Sequence, residues 1–275
     1  MMQSALINVI YKAAEKAARG LVRDFGEVEN LQISRKGVAD FVSNADMDAE
    51  KAILYELSKA RPGWGFIMEE SGVTPPEEED GPSWIVDPLD GTTNYIHGIP
   101  HFAISIAATD KPLEKGGKVI AGGIFDPMRN EFFFAEQGKG AFLNDRRIRV
   151  SGRRNMADCL FATGAPFLGR GTEEDHDLFK AELGAVMGST SGIRRMGAAA
   201  LDLAWVAAGR FDGFWERGLS LWDIAAGVLI VREAGGFVSD FAARDRALAS
   251  GDVVAANSHC HGDLLKKLRE GRSGR

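Results

Sequence analysis

The stretch Trp84–Gly98 reads WIVDPLDGTTNYIHG, and it is the part of the chain that says most about the fold and the chemistry. Its apolar first residues, Trp84–Val86, predict a strand that delivers Asp87 and Asp90, with a proline between the two acids. Two carboxylates at a strand end are unfavourable unless a cation or a proton neutralises them. The following Gly91–Asn94 supply hydroxyls and backbone N–H groups at a predicted helix start. The stretch therefore predicts a divalent metal bound beside a phosphate.

The composition is that of an ordinary globular protein. The 275 residues are 45% apolar and 26% charged, enough for one large domain or two closely packed halves. A net charge of −6 argues against an electrostatic grip on nucleic acid or an anionic membrane, so neither is expected as a partner.

Two cysteines, Cys159 and Cys260, lie outside any Cys-x-x-Cys spacing and indicate neither a disulfide framework nor a zinc ribbon. The first twenty residues are interrupted by charges before an apolar run develops, so we expect no signal peptide or membrane span. Both observations favour a cytoplasmic protein.

The order of predicted elements is mixed α/β, with two substructures that meet near residue 150. Residues 1–150 form the N-terminal half and residues 151–275 the C-terminal half, with the site expected between them. Helices are predicted over residues 5–25, from caps at Ser43 and Asn44 to residue 61, and over 175–186, 198–208 and 222–233. Strands are predicted over residues 65–68, 102–109, 118–124, 131–135, 159–163 and 211–216.

Isolated acids stand beside turn or strand-end signals at four places: Asp46, Glu69–Glu70, Asp87–Asp90 and Asp223. Mg²⁺ prefers oxygen ligands, and two such ions can clamp the attacking and leaving oxygens of a displacement at phosphorus. Asp46 paired with Thr92 would polarise the attacking water. Taken alone, Asp46 and Asp223 read more simply as helix caps, and Glu69–Glu70 as a surface pair.

A rival interpretation treats the first aspartate as a nucleophile. Phosphatases that form an aspartyl-phosphate carry D-x-D-G-T, whereas the spacing from Asp87 is D-x-x-D-G-T. On a strand, one extra residue reverses the direction of a side chain, so the two carboxylates would not converge in the same way. The spacing favours metal binding.

WIVDPLDGTTNYIHG and the later LWDIAAG (Leu221–Gly227) resemble the two signature motifs of the inositol monophosphatase family. The similarity runs from Lys36 to about residue 262. It includes EES at residues 69–71, GAAALDLAWVAAG at residues 197–209, and WERG followed by WD. The resemblance implies a layered αβαβα fold and a Mg²⁺-dependent, lithium-sensitive phosphomonoesterase that forms a homodimer.

The resemblance also implies roles for individual residues. The first metal would be held by Glu69, Asp87 and the Leu89 carbonyl, and the second by Asp87, Asp90 and Asp223, with a weaker third site at Glu69. The attacking water would be activated by Thr92 and Asp46, with Glu69 also oriented toward it. Phosphate would be bound by Gly91, Thr92 and Thr93, and Lys36 would lie near the metals. The inositol hydroxyls would be contacted by Asp90, Ala199, Glu216 and Asp223.

The substrate is less sharply defined than the chemistry. Thr93–Tyr95 after DGT is similar to the inositol version of the motif, and Glu216 suits a polyol because a carboxylate accepts two hydroxyl donors. Fructose 1,6-bisphosphate, histidinol phosphate and assorted sugar or nucleoside monophosphates remain alternatives, as does a non-catalytic binding role. Arg194 and Arg195 fit a site rim, an interface or plain surface equally well.

Overall fold

The computed structural model describes residues 4–31, 35–166 and 171–273, and the side chains within them apart from residues 28–31 and 35–43. The first part of the chain forms two helices that pack against each other and an eight-stranded sheet. Its elements are α1 (Ala5–Leu31), α2 (Arg35–Ala60), β1 (Gly65–Met68), β2 (Gly72–Thr74), β3 (Ser83–Asp90), α3 (Thr92–Ile96), β4 (Ala103–Thr109), β5 (Val119–Asp126), β6 (Glu131–Glu136), β7 (Gly140–Leu143) and β8 (Arg146–Ile148).

The second part forms a five-stranded sheet and the remaining helices. Its elements are β9 (Leu160–Thr163), α4 (Glu173–Met187), β10 (Gly192–Arg194), α5 (Ala199–Ala207), β11 (Gly213–Glu216), α6 (Leu221–Glu233), β12 (Phe237–Ser239), α7 (Ala247–Ser250), β13 (Val253–Ala256) and α8 (His261–Ser273). The first sheet has the order β2-β1-β3-β4-β5-β6-β7-β8 and the second β10-β9-β11-β13-β12. Parallel pairs are β1 with β3 in the first sheet, and β9 with β10 and with β11 in the second.

The elements stack in five layers, which confirms the predicted αβαβα fold. Helices α1 and α2 cover one face of the first sheet, and α5 and α6 lie between the two sheets. The outer face of the second sheet packs with α4 and α8 around a separate apolar core. Close approach of α6 to the first sheet requires a small residue, because a Cβ at Gly122 would lie 2.9 Å from the Cα of Ala226.

The predicted start of the second helix was wrong. Helix α2 begins at Arg35 rather than after Ser43 and Asn44, so those residues are not caps. Gly37, a residue type that disfavours helix interiors, lies inside the helix. A single glycine costs a helix only about 1 kcal/mol relative to alanine, which the surrounding helix formers and the packing against α1 offset.

The chain changes sheets between β8 and β9, close to residue 150. The division into halves 1–150 and 151–275 stays a prediction. Within the described ranges, no helix combines the length and the apolarity that crossing a bilayer would require.

The two cysteines are 101 residues apart in the chain, yet they lie together in the core beside the second sheet. The Sγ atoms of Cys159 and Cys260 are 3.3 Å apart, and both residues are fully buried as free thiols. His261, flanking them, has its Nε2 within hydrogen-bond distance of the Ser239 hydroxyl and the Val254 carbonyl. These contacts hold Cys260 and His261 in place beside the core.

Candidate active site

Asp87 and Asp90 lie in the C-terminal half of β3, close to the helices between the two sheets. The register between β3 and β4 shifts between Asp87 and Asp90, so a bulge holds Pro88 at a point where the sheet needs no N–H from it. Gly91 follows with φ +96° and begins α3. A Cβ at Gly91 would lie 3.0 Å from the His101 carbonyl oxygen, so both conformation and space call for glycine.

Backbone N–H groups fix one oxygen of each central carboxylate. The Leu89 N–H donates to Asp87 Oδ1 (2.9 Å), and the Ala200 N–H donates to Asp90 Oδ2 (2.7 Å). The second bond joins the end of β3 to the first turn of α5, which carries the Ala199 that the resemblance assigned to substrate.

Asp223 lies in the first turn of α6, where it accepts a 2.8 Å bond from the Ser220 N–H as part of a capping box. Ser220 is thus the N-cap residue, and Asp223 contributes to the cap as its N3 partner rather than as the N-cap itself. This role does not exclude a second task, because the same side chain lines the cleft described below.

Glu69 stands in the turn after β1, held there by a 3.2 Å bond from its own N–H to the Val86 carbonyl. Strands β1 and β3 are parallel neighbours, so their ends reach the same edge of the sheet. The carboxyl groups of Glu69 and Asp87 accordingly lie within hydrogen-bond reach of each other.

These residues line a single cleft of about 120 Å³. It brings together most of the residues singled out from the sequence: Glu69, Asp87, Leu89, Asp90, Gly91, Thr92, Thr93, Ala199, Glu216 and Asp223. The acids come from a turn, from β3, from β11 and from α6, segments as far apart in the chain as residues 69 and 223.

Burial and mutual repulsion raise the pKa of the central acids. For Asp87, desolvation is the larger cause and the charges of Asp90, Glu69 and Asp223 add to it. For Asp90, desolvation and the charge of Asp223 raise the pKa well above its usual range, against the stabilising N–H of Ala200. A set of carboxylates that raise one another's pKa in this way is a set that a cation would stabilise.

The donor set fits a hard divalent cation. The cleft offers carboxylate oxygens and, at Leu89, a backbone carbonyl, and it offers no thiol or imidazole. In the part of the chain that the structure describes, no three His, Cys, Asp or Glu side chains stand close enough together to form a ready-made metal site.

Asp46 and Thr92 do not hydrogen-bond to each other in this structure. The Thr92 hydroxyl donates to the Leu89 carbonyl at 3.0 Å. Asp46 lies inside α2, buried, and its Oδ1 has no hydrogen-bond partner among the described residues. Burial, with the charges of Glu70, Glu69 and Glu50, raises the pKa of Asp46 to about 8. It is not a helix cap, and its pairing with Thr92 stays a prediction.

Lys36 belongs to α2, but its side chain lies outside the described residues, so its predicted place near the metals stays open. Arg195 lines the cleft, as the site-rim interpretation predicts for that residue. Arg194 is exposed on β10, where its guanidinium donates to the Ile193 carbonyl.

The sequence did not single out Gly164, Gly197 or Leu219, which also line the cleft. Gly164 matters most, since a Cβ there would lie 1.8 Å from the Cδ of Glu216. A glycine directly after a predicted strand was the available signal, but nothing local indicated which side chain would occupy the space.

Comparison with known proteins gives relatives that match this chain over nearly its whole length. The inositol-1-monophosphatase of Mesorhizobium japonicum is 55% identical over 275 residues, covering 100% of both chains. The Nus factor SuhB of Pseudomonas aeruginosa is 43% identical over 96% of both. A crystal structure of the extragenic suppressor protein suhB from Bartonella henselae is 54% identical, with a TM-score of 0.88, covering 98% of this chain and 100% of that one.

The family model described as "Inositol monophosphatase family" matches residues 2–273, which is nearly the whole chain. Together with the relatives, this match shows that the chain belongs to the inositol monophosphatase family.

Proposed function

We propose that this protein hydrolyses inositol monophosphate to inositol and phosphate by attack of water. Membership of the family implies a metal-dependent phosphatase. The observation that carries the proposal is the meeting of four carboxylates from three separate segments around one cleft, beside the helix start at Gly91 and the proposed polyol acceptor Glu216. A cleft this acidic would repel a phosphate ester unless cations intervened, so the arrangement suits phosphate only in their presence.

Each group of residues has a distinct task in this proposal. The metals, two or three Mg²⁺ ions, would be held by Glu69, Asp87, Asp90, Asp223 and the Leu89 carbonyl. When bound, they lower the pKa of water and offset charge on the phosphoryl group.

The first-turn N–H groups of α3, at Gly91, Thr92 and Thr93, would orient phosphate oxygens. The Thr92 hydroxyl and Asp46 would hold the attacking water, with Asp46 as the proton acceptor of the pair. Its buried, unpartnered Oδ1 supports that task, because an acceptor without a partner is unfavourable unless a donor arrives.

Glu216 would accept hydrogen bonds from two ring hydroxyls of the alcohol, with Ala199 as the neighbouring surface. The side chain lies over Gly164 and lines the same cleft as the acids, which supports a contact with the alcohol part of the substrate. The wider proposal includes lithium sensitivity, a homodimer and a cytoplasmic location. The alternative substrates are fructose 1,6-bisphosphate, histidinol phosphate and broad sugar or nucleoside monophosphates.

The test is phosphate release at fixed Mg²⁺ from inositol 1-phosphate, fructose 1,6-bisphosphate and histidinol phosphate, repeated with Asp90→Asn. Inositol 1-phosphate should be hydrolysed fastest, and the variant should lose activity on all three, because an amide cannot supply the same charge to a cation. Equal rates on all esters would remove the substrate assignment. Full activity of Asp90→Asn would remove the metal assignment.

An additional binding role is the second candidate. It is favoured by relatives at 41–44% identity, such as those of Pseudomonas aeruginosa and Escherichia coli, that carry the name Nus factor SuhB. Pull-down of transcription proteins from a lysate with the wild-type chain and with Asp90→Asn would separate this role from hydrolysis, since binding should survive the loss of activity.

A further inference from the structure

Arginines are concentrated in one short segment of an otherwise acidic chain. Five of the nine residues from 146 to 154 are arginine, in the sequence RRIRVSGRR, although the net charge of the protein is −6. The first three, Arg146, Arg147 and Arg149, lie on or directly after β8, the outermost strand of the first sheet. The local charge is therefore opposite in sign to the charge of the whole molecule, and the local charge determines what binds there.

These three arginines are exposed and lack partners in the described structure. No ion pair or side-chain hydrogen bond involves Arg146, Arg147 or Arg149, whereas most other arginines in the described ranges are bonded to an acid or a carbonyl. The neighbouring acids do not compensate. Asp145 is exposed and unpaired, and the Glu233 carboxylate accepts bonds from the backbone of the β6–β7 turn.

The arginines border an open depression in the surface. A cavity of about 320 Å³ is lined by Arg146, Arg147, Arg149 and Arg210, with Leu143 and Ile148 on its apolar side. That volume lies within the range of small-molecule sites. Arg147 reaches over Gly140, where a Cβ would lie 2.6 Å from its Nη2, so the glycine provides the room that the guanidinium occupies.

One wall is held rigidly. The Arg210 guanidinium makes a two-point ion pair with Glu131 and lies 5.2 Å from the ring centre of Trp205. Arg210 is therefore already ordered before a ligand binds. Binding then has to order only the three unpaired arginines, which lowers the loss of side-chain conformational entropy.

We propose that this cavity binds a compact anion that carries two or more phosphate groups. Guanidinium groups bind phosphate through two parallel N–H bonds, and three unpaired ones around one space exceed what a single phosphate can use. Charged residues on an edge strand can also serve only to prevent strand pairing. That simpler role needs neither a cavity nor a fourth, fixed arginine behind the strand.

The site is distinct from the catalytic cleft, with which it shares no lining residue. Helix α5 separates the two: Ala199 at its first residue lines the cleft, and Ala208 directly after its last residue lines the arginine cavity. Nine residues of α-helix span roughly 13 Å, so a ligand in one site does not touch the other.

Inorganic tripolyphosphate is the first probe, added to the full-length chain with EDTA and then with saturating Mg²⁺, and followed by titration calorimetry. Arg146→Ala/Arg149→Ala should weaken binding about a hundredfold in both conditions, about tenfold for each charged hydrogen-bond donor removed. The matched control is Lys266→Ala/Arg269→Ala, which removes two exposed cations from α8 and should change binding less than about twofold. Both variants should hydrolyse inositol 1-phosphate like the wild type, which also shows that they fold.

Further arms identify the source of the phosphates. ATP and a short single-stranded RNA are titrated in the same way, and tighter binding of one of them through the same arginines identifies it as the natural form of the ligand. Poly-glutamate tests whether any anion suffices. The proposal is overturned if tripolyphosphate does not bind, if the two double variants bind equally well, or if poly-glutamate binds as tightly as tripolyphosphate.

Discussion

Replacing Gly164 by alanine tests whether Glu216 positions the alcohol part of the substrate. The added Cβ would lie 1.8 Å from Glu216 Cδ and 1.9 Å from its Oε1, where carbon atoms in contact are about 3.5 Å or more apart. The φ angle of Gly164 is not in the left-handed region, so the backbone accepts alanine and the Glu216 carboxylate is what must move. The displacement is roughly 1.5 Å or more. A misplacement of about 1 Å can cost about a hundredfold in rate.

We therefore expect kcat/KM for inositol 1-phosphate to fall about a hundredfold in Gly164→Ala. For p-nitrophenyl phosphate, whose alcohol has no ring hydroxyls for Glu216 to bind, the change should stay within about threefold. Gly152→Ala is the control, because no atom lies within 4 Å of the Cβ it adds. Equal losses on both substrates, or an unchanged kcat/KM for inositol 1-phosphate, would refute the role given to Glu216.

Three other substitutions have expected outcomes. Gly91→Ala forces alanine to φ +96° and against the His101 carbonyl, so the free energy of unfolding should fall by about 1–2 kcal/mol. Hydrolysis of every phosphomonoester should slow, and a loss of activity confined to inositol 1-phosphate would contradict this. Burial lowers the pKa of His101 from 6.5 to about 4. Between pH 6.5 and pH 4, His101 is therefore protonated in the unfolded chain but not in the folded chain. Stability should drop by up to about 3 kcal/mol across that window, and in urea titrations His101→Leu should lack this component. Gly184 is exposed in α4, and a Cβ added there would have no neighbour within 4 Å. Gly184→Ala should therefore raise the free energy of unfolding by about 0.5–1 kcal/mol, and an unchanged midpoint of urea unfolding would contradict this.

Local pattern sufficed wherever one segment determines its own structure. The strand ending at Asp90 and the helix beginning at Thr92 follow from apolar residues, a proline and a glycine that are neighbours in sequence. The start of α2 was mispredicted because Gly37 is a weak signal that packing against α1 outweighs. Asp46 was weighed as a cap for the same reason, since its place depends on a helix boundary that local residues do not decide.

Contacts between residues in different layers of the fold cannot be predicted from a local sequence pattern. The bond from the Ala200 N–H to Asp90 joins residues 110 positions apart, and it exists because α5 is held between the two sheets. Gly164 and Glu216 meet because β9 and β11 are adjacent strands. Family resemblance could supply Glu216, since a motif carries it, but not Gly164, whose role appears only once the neighbouring side chain is in place.

The choice between a structural and a functional interpretation of a single acid proves to be a false one at this site. Asp223 caps α6 through the Ser220 N–H, Asp87 holds the Leu89 N–H, and both still line the cleft. A carboxylate has two oxygens, so a backbone donor on one of them fixes the direction of the other. The local bond that makes Asp223 look like a mere cap is thus what orients it toward the site. At Asp90 the Ala200 N–H has a further effect: it opposes the rise in pKa that burial and the charge of Asp223 cause, and so favours the ionised form that a cation needs.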